Sequence, residues 1–72
     1  MSGNVHVSPG ADGWSVRVEG NPQATSFRTQ GEAIAAGRRL AQGNRSEEII
    51  HDVDGRIRQR DSYGRDPFPR RR

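Results

Sequence analysis

Three residues with chemistry to offer fall close together: His51, Asp52 and Asp54. A calcium loop needs acids at alternating positions before its glycine and a Glu further on. Here only Asp52 and Asp54 precede Gly55, and no Glu follows. Zinc draws several His or Cys ligands at suitable spacing, whereas the chain holds two His, His6 and His51, and no Cys. The expected roles are therefore plainer: Asp52 and Asp54 shape a turn, and His51 fills a strand position. Ser8, Ser15, Ser26, Ser46 and Ser62 sit in no nucleophile-elbow context. No glycine-rich phosphate loop appears. A domain this small also struggles to enclose a pocket of the usual ~300 Å³ or more. No catalytic, cofactor-binding or metal site is expected, and the chain reads as a non-enzyme.

The arginines form the remaining set. All 12 basic residues are Arg, a usage that GC-rich coding also produces. Residues 1–64 contain eight Arg and eight acids, so the net charge of +3 comes from residues 65–72, where Arg65, Arg70, Arg71 and Arg72 outnumber Asp66. Arg56, Arg58 and Arg60 alternate, which predicts projection from one side of one strand. Arg17 is placed on the same open face. Guanidinium groups bind phosphate bidentately and stack on bases, and neutralising phosphates makes affinity salt-sensitive. The competing reading is a solvated strand whose arginines pair across the sheet with Glu19, Glu47, Glu48 and Asp61.

These side chains need elements to hold them. Residues 4–8 alternate, with Val5 and Val7 on one face and His6 on the other, which predicts a strand. Residues 9–13 supply a turn. In residues 14–19, Trp14, Val16 and Val18 share one face while Ser15, Arg17 and Glu19 share the other. Residues 20–23 form a second turn, and residues 24–28 a short third strand with Phe27 buried. Thr29 and Glu32 fit a capping box. The helix they open places Ala33, Ile34, Ala36, Gly37, Leu40 and Ala41 on one side. Gly37 then allows close approach to the sheet over Trp14, and Gly43 with Asn44 suits a left-handed C-cap. Residues 47–52 and 56–61 flank Val53-Asp54-Gly55, a hairpin signal. A three-residue loop pairs His51 with Ile57, and a four-residue loop pairs Ile50 with Ile57. Either way one of Ile49 and Ile50 faces away from the helix.

The expected fold is α+β: one small domain over residues 1–64, with an antiparallel sheet of four to five strands and one helix on one face (β-β-(β)-α-β-β). Residues 65–72 form an Arg/Pro-rich tail. Tyr63 is expected to dock on the domain. The helix-facing core is Val5, Val7, Trp14, Val16, Val18, Phe27, Ile34, Leu40, one of Ile49 and Ile50, and Ile57. At 72 residues with 29% hydrophobic content, such a core is thin for a monomer. The longest apolar run, residues 33–36, is far short of the ~20 residues that span a bilayer. The first residues lack the basic and apolar stretches of a signal peptide, so the cytoplasm is the expected address.

The segments V-H-V-S-P, D-G-W-S-V-R, T-Q-G-E-A-I and I-I-H-D-V-D-G-R-I-R-Q-R-D-S-Y-G-R-D-P-F-P together resemble a family of short prokaryotic proteins, domain of unknown function two-one-eight-eight. The resemblance runs from Val5 to Pro69, and the ending over residues 60–69 is its most specific part. It implies a small α+β domain and brings no activity, cofactor or catalytic residue.

The leading functional expectation is a non-catalytic binding module with weak affinity for nucleic-acid phosphate through Arg17, Arg56, Arg58, Arg60, Arg70, Arg71 and Arg72. The alternative is a self-associating structural domain, in which the open sheet face or an unprotected strand edge pairs with a second copy. No cofactor, membrane or small-molecule substrate is expected.

Overall fold

Two valine pairs start the sheet. Val5 and Val7 on β1 (Val5–Gly10) stand opposite Val18 and Val16 on β2 (Gly13–Val18), in the computed structural model, which describes residues 3–63. The turn between them is tighter than the glycine- and proline-rich segment suggests, because the strands extend to Gly10 and Gly13. Gly13 has φ +143, and a Cβ there would run into the Phe27 carbonyl. A side chain is excluded at that position on both counts. Strand β3 (Ala24–Phe27) adds antiparallel to β2 and places Phe27 opposite Trp14.

Helix α1 (Gln30–Asn44) begins where expected. The Thr29 Oγ1 accepts from the Glu32 N–H at 3.1 Å, which satisfies one of the otherwise orphaned first-turn donors. Its end differs. The left-handed residue is Arg45, at φ 54, rather than Gly43, and the helix continues through Asn44. The Ser46 N–H reaches back to the Ala41 carbonyl and the Arg45 N–H to that of Gln42, the paired bonds of a Schellman turn. These two bonds, together with the return of the chain into the next strand, offset the cost of a left-handed arginine.

The buried line of the helix is Ala33, Gly37 and Ala41, one residue per turn. These small side chains bring the helix axis close to the sheet. The close approach at Gly37 is made over Val7 and Glu48 and not over Trp14, which lies half-buried at the side of the core. Leu40 falls off this line and is 43% exposed, so it leaves the expected core.

The chain then enters β4 (Glu47–His51), and β5 (Ile57–Ser62) returns beside it. The strand order is β3-β2-β1-β4-β5. Two of the five strands were expected from their alternation, two from the hairpin signal between them and the third as a short one, and all are present. The sheet is mostly antiparallel, but β4 runs parallel to β1, with Val5 beside Glu48, His6 beside Ile49 and Val7 beside Ile50. The physical reason is the helical crossover. A helix leaving β3 carries the chain back along the sheet, so the next strand starts in the direction of β1.

Both isoleucines are buried. Ile50 enters the core beneath the helix, while Ile49 is buried on the opposite face of the sheet. Tyr63 packs against the core, and its N–H donates to the Ser46 carbonyl. Ile57 is 53% exposed and so is also removed from the expected core. It pairs with His51 on the strand face turned away from the helix.

Glu48 occupies an inward position that alternation would give to a hydrophobe. It is fully buried, and among the described residues neither carboxylate oxygen has a hydrogen-bond partner. Loss of hydration pushes its pKa up to about 7, with Arg38 pulling the other way and Asp61 adding to the rise.

Candidate functional site: the open sheet face

One helix covers one face of the sheet, and the site lies on the other. Pairing registers set a row across all five strands there: Ala24, Arg17, His6, Ile49 and Arg60. A second row carries Ser26, Ser15 and Ser8. His51 follows Ile50 on β4 and so comes to the same face as His6. Between these rows and the β4–β5 loop lies an open hollow of about 540 Å³, lined by His6, His51, Arg17, Ser8, Ser15 and Val53 among others. Ala24 of β3 and Gly55 of the β4–β5 loop also line it.

The two histidines meet. His6 Nδ1 lies 3.0 Å from His51 Nε2, and the ring centres are 5.2 Å apart with planes inclined by 18°. The centres exceed the nitrogens in separation by nearly the full reach of both rings. The contact is therefore edge to edge, with the two nitrogens aimed at each other in a common plane, and the rings do not overlap face to face. On its other side His6 Nε2 is 2.7 Å from Glu19 Oε2. This bond, with a second from the Asn4 N–H, holds the Glu19 carboxyl below the usual carboxylate range. An ionised carboxylate only accepts, so His6 Nε2 carries a proton and His6 Nδ1 is free to accept from the His51 Nε2–H. With both rings neutral, the hydrogen bonds run from His51 through His6 to Glu19.

This arrangement does not suit a metal. A zinc ion sits ~2.0–2.1 Å from each ring nitrogen and cannot lie on a 3.0 Å line between two of them. Among the described residues no group of three or more His, Cys, Asp or Glu converges.

The arginines separate. Arg17 lines the hollow, and Arg60 lies in the same row, its Nε 3.5 Å from Glu47 Oε1. Arg58 does not share their face: its guanidinium donates to Gln30 Oε1 at 2.8 Å, at the start of the helix. Arg56 precedes β5 and lies 3.6 Å from Asp54. The expected stripe of three is broken by a bulge. His51 pairs with Ile57 as in the three-residue loop, closed by Gly55 at φ +88, but Ile50 then pairs with Gln59, and the slip reverses the alternation at Arg58. Asp52 and Asp54 shape the turn as expected, accepting from the Val53 and Arg56 N–H groups. Arg70, Arg71 and Arg72, with Phe68, lie outside the described residues.

The histidine pair was missed in the sequence: His6 was assigned an outward strand position, and His51 a strand position with no face. Their contact depends on the parallel neighbours β1 and β4, which no local pattern records.

A family model of uncharacterized proteins conserved in bacteria, DUF2188, matches residues 5–63. The chain belongs to this family. The match takes in β1 through Tyr63, so it includes only the first four residues of the distinctive 60–69 ending. No curated protein matches the chain, and neither does any solved structure. For this DUF2188 chain no helix among the described residues is long and apolar enough to cross a membrane.

Proposed function

We propose that this chain is a non-catalytic cytoplasmic binding module that takes phosphate-bearing ligands, nucleic-acid backbone foremost, on its open sheet face. The observation that supports this reading is the row Arg17, His6, Ile49, Arg60 beside a hollow that no element among the described residues covers. Arginine offers a planar fork to phosphate oxygens, and the adjoining serine row offers neutral hydroxyl donors on the same face. Arg56 and Arg58 stand away from that row and contribute general charge only. With two arginines in the row, binding is weak, and the slope of log K against log salt is roughly −1 to −2. The test is a titration of short single- and double-stranded DNA and RNA at two salt concentrations. Arg17→Ala should weaken binding several-fold, whereas Arg58→Ala should change it little. Absence of binding at low salt overturns the reading.

A second reading is self-association. Val53 is 77% exposed and Ile57 53% exposed beside the hollow, and β5 is an outer strand of the sheet. Such a surface suits a second copy of the chain.

A further inference from the structure

With both rings neutral, the chain from His51 to Glu19 holds two ring protons. With His6 Nε2–H donating to Glu19 and His51 Nε2–H donating to His6 Nδ1, three ring positions are assigned and His51 Nδ1 is left as a lone pair. One further proton can be accommodated. Placed on His51 Nδ1 it makes that ring the cation. Alternatively, His51 Nε2 passes its proton to His6 Nδ1, and His6 becomes the cation, donating to both neighbours. A second extra proton would put an N–H on each side of the 3.0 Å contact, and two hydrogens cannot occupy that line.

The charged groups around the pair are these. Arg17 on β2 stands opposite His6. Arg60 on β5 lies beyond Ile49 and is paired with Glu47 of β4. Glu19 is already engaged by His6. In the loop after β4, Asp52 accepts from the Val53 N–H and Asp54 faces Arg56. An anion in the hollow therefore meets Arg17 and the histidine pair, while the nearby acids are occupied elsewhere. It favours the protonated pair over the neutral one.

We propose that His6, His51 and Glu19 form a one-proton switch on the open face, so that an anionic phosphate group entering the hollow is bound together with a single proton. This deepens the phosphate-binding reading and rests on it. Measured from about pH 8 down to about pH 5, affinity rises as pH falls, by up to tenfold per unit, because one proton is taken up with the anion.

The test is calorimetry of the full chain with a short unlabelled single-stranded DNA oligonucleotide, whose diester phosphates do not titrate in this range. Two buffers of different ionisation enthalpy report the protons taken up. Uptake approaching one, reduced to near zero in the His6→Asn/His51→Gln double variant, supports the switch. Glu48→Gln, on the opposite face of the sheet, should leave the uptake in place. Binding without uptake, uptake near two, or uptake unchanged in the double variant overturns the switch and leaves the phosphate-binding reading standing. No binding at low salt at either end of the range overturns both. Should the double variant unfold, nitrogen shifts of the two imidazoles in the intact chain decide instead. They should show one shared proton gained on adding oligonucleotide, and two independent titrations overturn the switch.

Discussion

Glu48 illustrates how a single residue can set the conditions under which a thin core holds. An ionised carboxylate with no partner is among the most costly groups to bury. Folding therefore favours its protonated form, raising the pKa from 4.5 unfolded to about 7. The sign follows from proton counting. Between those values the folded state binds more protons than the unfolded one, so stability is full below about pH 4.5 and declines as pH rises to about 7. At higher pH the penalty is about 3 kcal/mol as an order of magnitude. Glu48→Gln should raise stability above pH ~7 by about 1–3 kcal/mol and flatten the decline, as read by urea unfolding on both sides of neutrality. The position was not recognisable beforehand, because a glutamate next to Glu47 reads as a solvated strand residue. Its inward direction comes from the parallel pairing of Glu48 with Val5.

At the scale of elements, the contact that decides most is that of α1 with the sheet. Gly37 replaces a side chain with space that Val7 and Glu48 occupy. A Cβ there would lie 2.6 Å from Glu48 Oε2 and 2.9 Å from Val7 Cγ2. Alanine has the better intrinsic helix propensity by ~1 kcal/mol. At this position overpacking dominates, and Gly37→Ala should destabilise by roughly 1–2 kcal/mol net in equilibrium unfolding. The hydrophobic stripe and the N-cap of this helix were legible in the sequence, since Thr29, Glu32 and the spacing of Ala33, Gly37 and Ala41 are local. The end of the helix was not. Gly43 is the better left-handed residue, yet Arg45 takes that conformation because the helix must run on to deliver Ser46 and Glu47 into β4. The hairpin shows the same division. Asp54-Gly55 announced the turn, but the bulge that turns Arg58 toward Gln30 arises from matching a short loop to the buried Ile49 and Ile50 on the neighbouring strand.

At the scale of the molecule, the described residues leave one sheet face uncovered and two apolar side chains, Val53 and Ile57, on its rim. If copies of the chain meet there, Ile57→Thr should return the protein to monomer without loss of fold. Sedimentation velocity over a wide concentration range measures this, and a monomer at every concentration for the unaltered chain would remove self-association from consideration. The row proposed to bind phosphate and the rim proposed to self-associate adjoin, so the same experiment with oligonucleotide present tells whether the two compete.

The local order of strands and helix, the inward valines and the outward His6 and Arg17 were determined by the sequence alone, because periods of two and 3.6 residues translate directly into faces. The tertiary structure alone decided which outward residues became neighbours. Val-His-Val states a direction, whereas Ile-Ile-His leaves it open between two registers. Only the helical return that lays β4 parallel to β1 brings His6 within 3.0 Å of His51 and leaves Glu48 beneath Gly37. That pairing joins segments more than 40 residues apart, and contacts at such separation are set by how the layers pack, which local alternation does not encode.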